Sequence, residues 1–494
     1  MTDLHQIFDH LNTKAEEHIG LLGEAVAIAS ISGSPDHRPE LFRMANWLKA
    51  RMEKAGADSV TLAPLGPQPG TEGQGTVGDK KMLELPPLVL AVFGNDPNKR
   101  TLALYGHYDV QPAQLEDGWS SDPFKMVVHE DGRMVGRGTT DDKGPLLGWI
   151  WVIEAYRALG KELPVNLRII FEGMEESGSE GLEEWIAKEH NGFLKGVDTV
   201  CISDNYWLGK TKPCITHGLR GVSYFQIEVS GPGRDLHSGV YGGAVHEPMT
   251  ALTQLMAGLV DTNGKILIDG VYDKVAPVTP EELANYKNID FSMDDFRASF
   301  DGTCVVFDEK DLGLEEAKAK TLMARWRNPS LSLHGIEGAF YGVGAKTVIP
   351  AKVIGKFSIR TVPDMDIEHV NKCAIDFVHA KAKTLGTRCE VKASLVSSGP
   401  WWYANPEDYN FRAAARAIAH VHDGIKPDLT REGGSIPVTL WFQTALPEAS
   451  VLLLPMGACD DNAHSTDEKL DKVNYLSGIK VMAAYLHEIA QKAE

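Results

Sequence analysis

Residues 101–109 read TLALYGHYD, and further along the same stretch residues 136–144 read GRGTTDDKG. An apolar run empties into Gly106-His107-Tyr108-Asp109, and Thr139-Thr140-Asp141-Asp142-Lys143-Gly144 opens a predicted helix. If Thr101 to Gly106 is a strand whose extension continues, His107 and Asp109 stand at i and i+2 and leave on one face. An imidazole beside a carboxylate at a strand end suits a divalent metal, as two ligands or as one ligand and the acid that orients it. A buried histidine hydrogen-bonded to its neighbour is the competing reading, and these residues alone do not choose.

Working outward, short apolar runs at 87–93, 165–171 and 199–202 join 101–105, with helical patterns at about 142–158 and 178–190 between the later ones. Strands alternating with helices predict an α/β fold with a largely parallel sheet flanked by helices. Ligands of such sheets sit beyond the carboxyl ends of the strands, which gathers the loops beginning at Gly106, Gly138, Glu172 and Ser203. Ahead of the sheet, apolar residues at steps of three and four predict a helix over 4–29, and a second covers 40–55. After Pro213 the texture changes: 221–230 alternates as a strand, 248–260 reads as helix, and 353–360 alternates with Arg360 on its polar face. Helix returns from about 407, then a Gly-rich turn at 431–435, an apolar strand at 450–455 and a helix at about 472–492. These patterns predict a discontinuous α/β domain, 1–213 and 399–494, with an α+β domain inserted at 214–398.

The chain has 494 residues, 43% apolar and 24% charged, enough for two or three globular domains. A formal charge of −19 argues against nucleic acid or an anionic membrane as partner. Cys201, Cys214, Cys304, Cys373, Cys389 and Cys459 lie far apart with no C-x-x-C pair, as expected of reduced, mostly buried thiols in a cytoplasmic protein. No signal-peptide pattern and no membrane-length apolar run is present.

Acids and histidines collect at the predicted loop ends: His107, Asp109, Asp141, Glu175, Glu176, Asp204 and His464. An Asp opening a helix is ordinarily a cap, and adjacent Glu ordinarily a solvated face. The sequence GMEESGSEG departs from that, because glycines flank the acids and an apolar strand delivers them. Nitrogen and oxygen ligands without thiolate favour Zn²⁺, Mn²⁺ or Co²⁺, and the surplus of carboxylates suggests two ions. Because neighbouring side chains diverge, one of Glu175 and Glu176 can ligate while the other accepts a proton as general base.

The strings GHYDVQP, GRGTTDDKGP, EGMEESGSEGL, CISDNYWLG, DLHSGVYGG, SLHGIEGA, GAKTVIPAKV, LTREGGSIPVT and DDNAHS resemble the dinuclear metallopeptidase superfamily of aminoacylases and carboxypeptidases, in particular its cytosolic nonspecific (carnosine) dipeptidase branch. The resemblance covers nearly the whole chain. It implies that Asp141 bridges two metals, with His107 and Asp204 on one and Glu176 and His464 on the other. It further implies Glu175 as general base, Asp109 as the acid that orients His107, and a cis peptide at Asp141-Asp142. The inserted domain would be a lid and dimerisation domain, and His237 and Thr347 would act in the partner's site of a homodimer. Arg360, with Ser435 and Gly434, would hold the free carboxylate of a small peptide. His237 read alone is as well explained by a structural role, and Arg360 by solvation.

Together these readings predict a dipeptidase in which a metal-bridging water, deprotonated by Glu175, attacks the peptide carbonyl. An N-acyl-amino-acid or carbamoyl amidohydrolase with the same site is the alternative enzyme. A non-catalytic binding protein retaining the fold is the alternative of another class, and a nonmetal nucleophilic hydrolase stands behind both.

Overall fold

The computed structural model describes residues 2–300, 302 and 304–491. The chain divides into two compact units, Met1–His217 with Ala404–Thr430 and Val438–Glu494, and Gly218–Tyr403 with Arg431–Pro437. The cuts fall at 217/218 and 403/404, against the expected 213/214 and 398/399. The short segment Arg431–Pro437, assigned from sequence to the first domain, packs with the second unit.

The first unit is built on a mixed sheet running Ser59–Ala63, Leu88–Phe93, Asn166–Glu172, Thr101–His107, Thr199–Ile202, Ser450–Leu453 and Cys214–Leu219. Its middle strands, Asn166–Glu172, Thr101–His107, Thr199–Ile202 and Ser450–Leu453, are mutually parallel. The Leu88–Phe93 strand runs antiparallel to its neighbour Asn166–Glu172. The central strands are buried along their length, which is why they read as continuous apolar runs rather than alternation. Helices Arg38–Lys54, Lys143–Ala158, Tyr409–Val421 and Lys472–Ile489 pack around this sheet. The amphipathic pattern expected over 4–29 is two helices, Thr2–Thr13 and Ala15–Val26, divided at Lys14. The final helix ends at Ile489, and the expected run to 492 passes outside the described residues. Because the four parallel strands share a direction, the chain leaves His107, Glu172, Ile202 and Leu453 at one edge.

The second unit carries a four-stranded antiparallel sheet in the order Ser330–Glu337, Lys352–Thr361, Gly221–Ser230, Glu390–Gly399. Gly221–Ser230 alternates buried and half-buried residues along its whole length. Its inward Phe225, Ile227 and Val229 pack with Val353, Phe357 and Ile359 and with Leu252, Leu255, Val370 and Ala374 from two helices, Pro248–Ala257 and Ile367–Leu385. Phe225 lies directly opposite Phe357, the rings stacked at 4.9 Å.

Of the six cysteines, Cys201, Cys214 and Cys389 are buried, Cys373 is half-buried, and Cys304 and Cys459 are exposed, all as free thiols. The expectation that most are buried therefore holds for only half of them. Among the described residues no helix is long and apolar enough to cross a membrane.

Candidate metal centre

His107 is the last residue of its strand and is fully buried. Its Nε2 lies 3.1 Å from Asp141 Oδ1 and 3.4 Å from Asp204 Oδ1. The other oxygen of Asp141 lies 3.1 Å from His464 Nε2, which is also 2.9 Å from Glu176 Oε2. Two ligand groups result, His107-Asp141-Asp204 and Asp141-Glu176-His464, each with its donor atoms within 4.8 Å of one another. Asp141 belongs to both and gives one oxygen to each. His464 is the exposed member, and its backbone is left-handed at φ 60°.

The donor set fits divalent cations. Each group offers one imidazole and carboxylates but no thiolate, and no lysine or arginine forms an ion pair with Asp141, Glu176 or Asp204 among the described residues. Electrostatics point the same way, because the excess of acids draws protons onto the imidazoles. His464 is pushed up to about 10 by its hydrogen bonds to Asp141 and Glu176. Burial works against a charged His107, yet Asp204, Asp109 and Asp141 raise it well above the ordinary range. Burial likewise opposes ionisation of Asp141, but His107 and His464 hold its carboxyl below the usual range. Burial pushes Asp204 up to about 6. A cation in each group would supply the charge that those protons provide here.

The remaining acids are placed to orient rather than to ligate. Asp109 faces the other side of the imidazole, its Oδ1 at 3.4 Å and its backbone carbonyl at 3.1 Å from His107 Nδ1. Its two carboxylate oxygens also accept the backbone N–H groups of Glu175 and Glu176, at 3.2 and 3.1 Å. One side chain therefore fixes both the His107 ring and the turn Glu175–Ser177. Gln111 Nε2 donates to Glu176 Oε2 at 2.8 Å. Glu175 is in neither ligand group. Desolvation, reinforced by the charges of Asp204, Glu176 and Asp141, pushes its carboxyl well above the usual range.

Several residues that position this centre gave no signal in sequence. Glu468 is fully buried and accepts the backbone N–H groups of Gly138, Thr140 and Asp141 at 3.0, 3.1 and 3.1 Å, and Arg137 Nη1 at 2.8 Å. Thr140 Oγ1 donates to Asp461 Oδ2 at 2.8 Å, and Lys469 Nζ donates to Asp461 Oδ1 at 2.8 Å. Asp460, Asp461 and Asp471 form a third acidic group, but Lys469 already supplies its cation. Asp142 Oδ2 accepts the His107 backbone N–H at 3.2 Å, and the Asp141-Asp142 peptide is cis. A Glu or Lys beside an exposed-looking loop reads as solvated, and only the fold reveals Glu468 as buried.

The remaining expected site residues, His237, Thr347, Arg360, Gly434 and Ser435, belong to the second unit, where they fall in two groups. His237 stands opposite Val348 in a short antiparallel bridge, and the N–H of Ser238 donates to the Thr347 carbonyl at 3.2 Å, so His237 and Thr347 are neighbours. Both are exposed. Arg360 Nη1 donates to Ser435 Oγ at 3.2 Å, and open space lies where a side chain on Gly434 would begin.

Residues 103–488 match the model of peptidase family M20/M25/M40. The Cys-Gly metallodipeptidase DUG1 of Saccharomyces cerevisiae is 49% identical over 492 residues, 99% of each chain. The Beta-Ala-His dipeptidase of Homo sapiens is 43% identical over 490 residues, 99% of this chain and 93% of that one. The solved structure of the yeast dipeptidase Dug1p superposes with a TM-score of 0.86 at 48% identity, covering 99% of both chains.

Proposed function

The chain belongs to peptidase family M20/M25/M40, and we propose that it is a metal-dependent dipeptidase that cleaves dipeptides with a free C-terminal carboxylate. The observation that carries the reading is the sharing of Asp141 between two imidazole–carboxylate groups, with Glu175 beside them and free of both. His107, Asp141 and Asp204 would hold one divalent ion and Asp141, Glu176 and His464 a second, Zn²⁺ or Mn²⁺, with Co²⁺ also suited to the donor set. When bound, such a pair supplies a water that ionises near neutral pH and a Lewis acid for the peptide carbonyl.

The chain's own groups do the rest. Glu175 takes the proton of the attacking water and returns it to the departing amine, for which its desolvated carboxyl is suited. Asp109 holds the His107 ring and the Glu175 backbone in one geometry, so ligand and base move together. Arg360, with Ser435 and Gly434, takes the substrate carboxylate. His237 and Thr347 serve the developing oxyanion across a homodimer, and the enzyme works in the cytoplasm. The 49% and 43% relatives act on Cys-Gly and β-Ala-His, two dipeptides of different length and side chain, which supports a site that reads the ends of its substrate.

The test is a panel of dipeptides and N-acetyl and N-carbamoyl amino acids, run on chelated enzyme reconstituted with one metal at a time. Dipeptide cleavage restored by metal is expected. Turnover of only the acyl or carbamoyl compounds would assign an amidohydrolase, no turnover with any metal would assign a binding protein, and activity that survives chelation would exclude the metal reading.

A further inference from the structure

Arg220 is bound into the turn that carries Ser435. Its backbone N–H donates to the Glu432 carbonyl at 3.2 Å, its Nε donates to the Gly433 carbonyl at 3.2 Å, and its own carbonyl accepts from Ser435 Oγ at 2.6 Å. Nη1 is held by the Ala324 carbonyl at 3.3 Å and Ser330 Oγ at 3.0 Å. The single proton of the Ser435 hydroxyl is thereby committed to Arg220, which leaves its lone pairs for Arg360 Nη1 at 3.2 Å. A Cβ on Gly433 would come within 2.9 Å of Arg220 Nη2, so the glycine lets the guanidinium lie against the turn.

The charge of this arrangement is unbalanced. The acceptors around both guanidiniums are carbonyl and hydroxyl oxygens, and the nearby Glu432 carboxylate accepts the N–H of Gly433 at 2.8 Å. Burial, and then the charge of Arg360, lower Arg220 to about 10, against the opposing pull of Glu432. Among the described residues neither guanidinium forms an ion pair with an acid, and Arg325 adds to the like charge on Arg220; such half-buried charges raise the free energy of the subsite, and an anion bound there relieves it.

We propose that Arg220 is a second cation of the carboxylate subsite, orienting Ser435 and Arg360 through the turn and adding a charge that favours a carboxylate over a neutral C-terminus. The proposal rests on the reading of Arg360 as the carboxylate-binding residue. It treats Arg220 as a positioning and specificity residue that acts through the turn carrying Ser435.

The experiment measures kcat and KM of reconstituted wild type, Arg220→Gln, Arg220→Lys and Arg360→Gln for one dipeptide and for the same dipeptide as its C-terminal amide. If the amide is not turned over, its inhibition constant replaces KM. Arg220→Gln is expected to raise KM for the dipeptide about 10- to 100-fold, the worth of a charge-assisted contact, with kcat nearly unchanged. The amide should change by less than about threefold, and Arg220→Lys should recover most of the discrimination. Equal losses on both substrates in the two Arg220 variants would make Arg220 a structural strut and overturn the proposal. If Arg360→Gln leaves the discrimination intact, the carboxylate reading of the subsite fails instead. Should Arg220→Gln not fold by circular dichroism, Arg220→Lys decides alone: discrimination retained supports the proposal, and equal loss on both substrates overturns it.

Discussion

Asp141 is held on both sides, because each of its carboxylate oxygens faces a different histidine and its backbone N–H donates to Glu468. Glu175 sits outside both ligand groups, so its carboxyl can exchange protons without releasing a cation. Glu175→Gln keeps the shape and removes the base; it is expected to bind two metals per chain like wild type, by metal analysis, while kcat falls about 10²–10⁴-fold. Activity within a few-fold of wild type would take the base role from Glu175. At this scale the sequence was informative where a side chain's neighbours in the chain prepare its role. His107 and Asp109 alternate off a strand end, and glycines frame Glu175 and Glu176. Glu468 and Arg220 were illegible for the opposite reason: their partners lie far along the chain, Glu468 beneath the amides of 138–141 and Arg220 against 432–435. Nothing local distinguishes either from a solvated charge.

The helix Lys143–Ala158 shows how an element carries the centre, since it begins two residues after Asp141 and its first turns are buried all round. Gly144 lies where a Cβ would stand 2.1 Å from the Thr139 carbonyl oxygen and 2.8 Å from Leu470 Cδ2, whereas one on Gly148 would meet Met482 Sδ at 2.9 Å and Met456 Cε at 3.3 Å. A backbone carbonyl cannot turn aside, but methionine ends can. Gly144→Ala is therefore expected to destabilise by about 1–3 kcal/mol and to lower metal occupancy, and Gly148→Ala to do markedly less, read as thermal midpoints and metal content. Equal midpoints for the two would contradict this ordering. The long sheet strands and their helices were readable because burial on both faces leaves continuous apolar runs. Among the described residues, the short helices Pro280–Asn288, Met293–Ala298 and Glu309–Leu312 were not, since their Thr279, Ser292 and Asp308 caps resemble loop residues. The strand Glu390–Gly399 escaped too, as it lies at the edge of its sheet with every residue exposed or half-buried.

Across the whole chain, the shift from parallel to antiparallel texture after Pro213 announced a second unit, but the return of Arg431–Pro437 to that unit is a long-range packing fact that no local pattern records. Global stability holds a similar hidden dependence, in a histidine that the catalytic reading does not use. His18, on the helix Ala15–Val26, is buried and stacked on Trp151 at 4.8 Å, and its Nδ1 has no hydrogen-bond partner among the described residues. Burial lowers it from 6.5 to about 4, so between those values the unfolded chain holds a proton that the folded chain lacks. Its contribution is complete above pH 6.5 and is lost as pH falls towards 4, a loss of about 2–3 kcal/mol by linkage. His18→Phe keeps an aromatic ring against Trp151 and removes the titration. In chelated protein, where acid cannot act by releasing metal and the ligand side chains titrate alike in both proteins, the thermal midpoint of wild type should fall relative to His18→Phe from pH 7 to pH 5. Parallel midpoint curves would mean that His18 accepts its proton without unfolding and that the acid sensitivity lies elsewhere.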